Sequence, residues 1–353
     1  MSPRRAKSEE APVETDRIAG QPHPRESFRL VGQEQALAHA AHAIRGGRPP
    51  QAWLIGGPPG IGKATLAYRI ARYLLRYGAT AAGPDNLDVS ETDPVAIQVK
   101  AGAHPGLLVL KRGLNPETGK LMTVLSVGEI RKLGHFFALT SGAGGWRIAI
   151  VDTADDMNEA AANALLKLLE EPPARSMLLL LANAPARLLP TIRSRCQRLP
   201  LRSLDDETVA GEFTRLLPDL AAGERSHLAK LSGGSIGAAL RLASDEGLML
   251  AREAEALVDR AAAPDFAATL ALAEKIGRID DGAEQFGQFL LQVLRDRILA
   301  RAHQGAQNLD RWVRLRESLE QSFKRMDGLH LDARQTILSA ETALARVARR
   351  GTL

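Results

Sequence analysis

The chain has 353 residues, 45% of them hydrophobic and only 4% aromatic, a length that calls for two or three domains packed mainly with Leu and Ala. Its single cysteine, Cys196, excludes a disulfide framework and any multi-cysteine zinc site. No apolar run approaches the about 20 residues of a membrane span and no apolar signal segment opens the sequence, so a cytoplasmic chain without membrane contact is expected. A formal charge of +5 fits nucleic-acid contact and fits a scattered excess of arginine equally well.

Residues 1–27 are rich in Pro, Arg and Glu with little periodic hydrophobicity, and are expected to be disordered. Residues 33–44 read as a short Ala-rich helix stopped at Gly46-Gly47. His39 and His42 lie one turn apart on it, without the further ligands a metal site needs. Trp53-Leu54-Ile55 reads as a buried strand, and Leu66, Ile70 and Leu74 recur every four residues on one face of a following helix. Between them stands Gly57-Pro58-Pro59-Gly60-Ile61-Gly62-Lys63-Ala64, a phosphate-binding loop in all but its last letter. Backbone N–H groups of such a loop and of the helix N-terminus hold the phosphates of ATP or ADP, with Lys63 reaching the terminal ones. Position 64 needs a hydroxyl for Mg²⁺, and Ala64 has none. Thr65, turned about 100° further round the helix, does not replace it. The loop is therefore either a weakened nucleotide site or a tight strand-to-helix turn kept for its shape.

Residues 78–106 are polar and proline-punctuated, an expected surface excursion. Leu107–Leu110, residues 148–151 and residues 177–182 are continuous apolar runs suited to parallel strands covered on both faces. Helical patterns at Val127–Ala138 and residues 158–171 lie between them, which predicts an α/β doubly wound parallel sheet over residues 28–202. Asp152 ends one strand; in phosphate-loop ATPases such an acid supports Mg²⁺ through water, and a Glu after it orients the attacking water. Thr153 follows here. Asn158 is placed to cap a helix whose apolar face is Leu165, Leu166, Leu168 and Leu169 and whose stop is Pro172-Pro173. Asn183, at the carboxyl edge of the sheet, either senses a γ-phosphate or caps a turn. In Ile192-Arg193-Ser194-Arg195-Cys196-Gln197-Arg198 the arginines form a solvated face or include an arginine finger, a guanidinium that completes another subunit's site. From residue 203 the strand signals vanish. Residues 203–245 read as a small helical unit around Ser232-Gly233-Gly234-Ser235, and residues 246–353 as a larger helical domain with amphipathic segments.

Val31-Gly32-Gln33-Glu34, the loop at residues 57–63, Asn163-Ala164-Leu165-Leu166-Lys167-Leu168-Leu169-Glu170-Glu171-Pro172-Pro173 and Ser194-Arg195-Cys196 follow one another as in the bacterial clamp-loader branch of the AAA+ ATPases. The chain resembles that branch over residues 28–245. The resemblance implies an AAA+ phosphate-loop domain, a small helical lid and an all-α collar that joins subunits. It also implies motor subunits and a delta subunit as partners, with a sliding clamp and primed DNA reached through the complex. On this pattern Gly57, Pro58, Pro59, Gly60, Ile61, Gly62, Lys63, Ala64, Thr65, Asp152 and Asn183 correspond to the nucleotide site, and Arg195 to the finger given to a neighbour. Three departures imply a non-catalytic stator with no activity alone: Ala64, Thr153, and Gly237 where motor subunits end a Gly-Ser-x-Arg turn in Arg. The rival expectation is an ATP-hydrolysing motor subunit using Lys63, Asp152 and a substitute base; a phosphate-loop kinase or nucleotide switch is the weaker rival. Many relatives carry a four-cysteine zinc module in the excursion. Residues 78–106 contain no cysteine, so no zinc is implied.

Overall fold

The computed structural model describes residues 21–113, 122, 124–138, 145–243, 245–279, 282–306, 309–329 and 332–349. In chain order the first half runs α1 (Glu34–Arg45), β1 (Ala52–Gly56), α2 (Lys63–Tyr77), α3 (Pro94–Lys100), β2 (Leu107–Leu110), α4 (Val127–Ala138), β3 (Arg147–Val151), α5 (Glu159–Glu170), β4 (Ser176–Ala182), α6 (Pro190–Arg195) and β5 (Gln197–Pro200). The five strands form one parallel sheet in the order β2-β3-β4-β1-β5. Its three central strands are almost wholly buried, as continuous apolar runs require when helices cover both faces.

Strand periodicity splits those runs between two cores. Trp53, Ile55, Ile148, Ile150, Leu179 and Leu181 face one way and pack with Ile44 of α1 and Leu66, Ile70 and Leu74 of α2. Leu54, Ala149, Val151, Leu178 and Leu180 face the other way and pack with Ile130 and Leu133 of α4, Leu165 and Leu169 of α5, and Ile192 of α6. Asn158 caps α5 through a hydrogen bond from the Ala161 N–H to its Oδ1 at 2.9 Å. The edge strand β5 was not anticipated from the sequence, since only Leu199 of its four residues is buried.

Two expectations need correction. Residues 1–20 lie outside the described residues, but residues 21–27, expected to be disordered, are packed: His23 is buried and caps a 3-10 turn at Pro24–Glu26. What orders them is Arg72 of α2, itself buried, which donates to Arg25 O at 3.2 Å and Ser27 O at 3.1 Å and stacks on Phe28 at 4.2 Å. The excursion at residues 78–106 is likewise more than surface. It buries Leu87, Val89, Ala96 and Val99 in the first core and carries α3, capped by Asp93 with Pro94 at its first turn. Three arginines of α1 and α2 each hold one of its carboxylates: Arg45–Asp85 at 2.6 Å, Arg69–Asp88 at 3.3 Å and Arg76–Asp93 at 2.6 Å.

The second half is helical: α7 (Asp206–Leu216), α8 (Ala222–Leu231), α9 (Ile236–Leu242), α10 (Asp245–Asp259), α11 (Phe266–Ile276), α12 (Gly282–His303), α13 (Asp310–Leu329) and α14 (Ala333–Ala348). One buried cluster runs through it from Val209 and Phe213, past Leu250 and Leu257, to Phe286, Trp312 and Leu344. Among the described residues no helix is long and apolar enough to cross a membrane.

Arg72 yields the first prediction. Arg72→Ala strands two carbonyls and removes a charge-assisted donor from each, so it should cost about 3 kcal/mol in urea unfolding and open residues 21–28 to proteolysis. Arg72→Lys should recover little, because an ammonium cannot bridge both carbonyls and lie flat on Phe28.

Candidate functional site

The loop between β1 and α2 is held closed by the protein's own donors. Gly57 leaves the sheet through a hydrogen bond from its N–H to Ala182 O at 3.2 Å. Lys63, first residue of α2 and only 8% exposed, folds its side chain back under the loop. Its Nζ donates to Gly57 O at 2.8 Å, Pro58 O at 2.8 Å and Asn183 Oδ1 at 2.7 Å. An ammonium has three N–H groups, so all are engaged. The next two loop carbonyls are taken from above, by the start of α9: Ser235 Oγ–H donates to Pro59 O at 2.8 Å and the Gly237 N–H to Gly60 O at 3.0 Å. Ser235 also caps α9, accepting from the Ala238 N–H at 3.1 Å.

This contact is backbone on backbone. A Cβ on Gly237 would lie 2.7 Å from the Gly60 Cα, and one on Gly60 would lie 2.7 Å from Ser235 Oγ, at a φ of +74° that already favours glycine. Both glycines are therefore required by the closure itself.

The acids sit behind the lysine. Asp152, at the end of β3, accepts from the Thr153 N–H at 2.9 Å, and Thr153 occupies the left-handed region at φ +50°. Asp155, buried, accepts from the Asn183 N–H at 3.1 Å and the Ala184 N–H at 2.8 Å, which sets the turn after β4 and so presents the Asn183 amide to Lys63. Sequence reading passed over Asp155, whose signal was the second acid in Asp152-Thr153-Ala154-Asp155. Burial pulls the Lys63 pKa down to about 8, against the opposing pull of Asp152 and then Asp155.

The expected residues thus fall into two groups. Residues 57–63, Asp152 and Asn183 come together; Ala64 and Thr65 are half-buried in the first turn of α2, and Ala64 brings no oxygen. Arg195 is elsewhere and exposed, at the last position of α6, where its guanidinium donates to Thr191 O at 3.2 Å and Glu170 Oε1 at 2.9 Å. As the loop stands, the three N–H groups of the lysine are taken by the protein's own oxygens and α9 touches the loop at Gly60, so a phosphate would have to displace Lys63 from its partners to gain its charge. No group of three or more His, Cys, Asp or Glu suited to a metal ion occurs among the described residues.

A parallel sheet with a Gly-rich loop leading into a helix, an acid closing β3 and a helical domain docked on the loop defines a phosphate-loop protein of AAA+ type. Residues 32–205 match the family described as DNA polymerase III, delta subunit. DNA polymerase III subunit delta' of Pseudomonas aeruginosa is 39% identical over 203 residues, 56% of this chain and 57% of that one. The subunit delta' of Escherichia coli is 36% identical over 202 residues, 57% of this chain and 56% of that one. Subunit gamma/tau of Mycobacterium tuberculosis is 30% identical over 208 residues, 55% of this chain and 31% of that one. The match spans little more than half the length of the delta' relatives.

The buried ammonium makes stability depend on pH. Below pH about 8 the folded and unfolded chains both hold the proton and the burial penalty is felt in full; between about 8 and 10.5 the folded chain releases it first, so stability rises. Unfolding free energy should climb by about 3 kcal/mol across that window relative to Lys63→Met, which lacks the group. A constant difference between the two proteins from pH 7 to 11 would refute the assignment.

Proposed function

We propose that this chain is a non-catalytic stator of the delta-prime type in a DNA polymerase III clamp loader. It joins motor subunits of the gamma/tau type and a delta subunit, and through the complex helps place a sliding clamp on primed DNA. In this reading residues 28–202 are the AAA+ domain, residues 203–245 the lid and residues 246–353 the collar that meets the other subunits, with lid and collar sharing one core. The observation that carries it is the saturated Lys63: three donors, three acceptors of its own chain. A loop so closed binds ATP or ADP weakly at most and serves as a strand-to-helix turn.

The same reading gives Arg195 a role in trans. Its guanidinium is exposed, permanently charged and forked, as a group serving a neighbour's phosphates must be. The motor reading draws on the gamma/tau similarity and on Lys63 and Asp152. Against it stand Ala64, Thr153 and the saturated lysine.

Two measurements separate the readings. Purified alone, the chain should release no measurable phosphate from ATP; turnover of about 1 s⁻¹ that vanishes in Lys63→Ala would establish a motor instead. In the assembled complex, Arg195→Ala should leave assembly intact and silence one neighbouring site, since a finger is worth about 10³- to 10⁵-fold there. Total ATPase should fall in part and clamp loading further, with no rescue by Arg195→Lys. Wild-type values for both would make Arg195 an ordinary surface charge.

A further inference from the structure

Arg195 is not loose on the surface. It closes α6, and the residue that receives it, Glu170, closes α5, so the guanidinium lies where two helix C-termini meet. Both termini present carbonyls with partial negative charge. Thr191 O, in the first turn of α6, accepts from Arg195 Nη1 at 3.2 Å, while Glu170 Oε1 accepts from Nη2 at 2.9 Å. Two of five guanidinium donors are used in this way. The side chains are 38% and 51% exposed, so this ion pair is solvated and weak, and incoming anions can reach it. Glu170 is firmly placed: α5 is capped at its start by Asn158 and packed on the sheet through Leu165 and Leu169, the latter directly before Glu170.

We propose that Glu170 is a positioning residue for Arg195, parking the guanidinium when the neighbouring nucleotide site is empty and yielding it to polyphosphate when that site fills. This rests on the reading of Arg195 as a finger in trans. A carboxylate brings one negative charge to the guanidinium; a polyphosphate brings several and can accept from both prongs of the fork. The handover therefore runs downhill, and Arg195 is paired before and after it. Its cost to the neighbour's nucleotide affinity is the strength of one exposed ion pair, about two- to fivefold. Glu170 thus restrains nucleotide engagement without preventing it.

The test uses assembled complexes carrying Glu170→Gln, Arg195→Ala, or both. The readouts are the affinity for a fluorescent non-hydrolysable ATP analogue and ATPase without clamp or DNA; melting of the isolated variant checks folding. Glu170→Gln should tighten analogue binding by about two- to fivefold and raise clamp-free turnover, opposite in sign to Arg195→Ala. In the Arg195→Ala background Glu170→Gln should change neither. If Arg195→Ala lowers turnover but Glu170→Gln matches wild type or weakens binding, the parking role is wrong while the finger stands. If Glu170→Gln acts equally with and without Arg195, it works through some other group and the proposal fails. If Arg195→Ala itself has no effect, the finger reading fails and this inference falls with it.

Discussion

A lysine ammonium placed in the interior of a protein must find a partner for each of its protons or lose its charge. Lys63 meets that demand with two carbonyls of its own loop and the amide of Asn183. Once those bonds are made, the remaining geometry follows. The loop curls over its lysine, Asp155 must hold the turn that presents Asn183, and the outer carbonyls of Pro59 and Gly60 face the lid, where Ser235 and Gly237 take them. The two halves of the chain are joined at this point through two successive carbonyls, those of Pro59 and Gly60. The second of these bonds, from the Gly237 N–H, is stiff, because backbone groups have no rotamers to exchange.

Further contacts brace it. Gln33 clasps the chain beyond β5, donating to Arg202 O at 2.8 Å and accepting from the Arg202 N–H at 3.2 Å, which fixes the start of the helical half. Arg29 reaches the buried carboxylate of Glu212 on α7 at 2.6 Å. On the other side, Asp156 lies between Arg112 and Arg187, each at 3.7 Å, and within the field of Lys324 on α13. The helical half is thus tied to the first half through α7 as well as α9. A part that holds its shape while others move around it needs ties of this kind at several separated points.

How much of this was legible in the sequence depended on the range of the interaction. The loop, the three central strands and the Asn158-capped helix announce themselves through neighbours a few residues apart: glycine spacing, unbroken apolar runs, a cap and two prolines. The strap at residues 21–28 was misread because its order comes from Arg72, some 45 residues on, and not from any apolar period of its own. Ser235 and Pro59 are separated by 176 residues, so no local pattern could announce that the lid closes on the loop. Arg195 and Glu170 are 25 residues apart and both polar, a pair composition cannot distinguish from two solvated charges. The excursion was judged by its polarity, yet its aspartates are the residues that α1 and α2 hold.

The departures at Ala64 and Gly237 differ in kind. Losing the hydroxyl at 64 removes a metal ligand and leaves the loop's shape alone; a loop changed only there could still cradle phosphate through its backbone. Glycine at 237 changes the shape, because any side chain would begin 2.7 Å from the Gly60 Cα and force the lid away. The arginine that the motor-type turn carries at this place is therefore incompatible with the packing seen here. The close contact of α9 with Gly60 and the absence of that arginine therefore go together. Arg195, on a separate helix at the opposite end of α5 from the acids, is untouched by either. A chain can in this way close its own site and keep the surface group that another site would use.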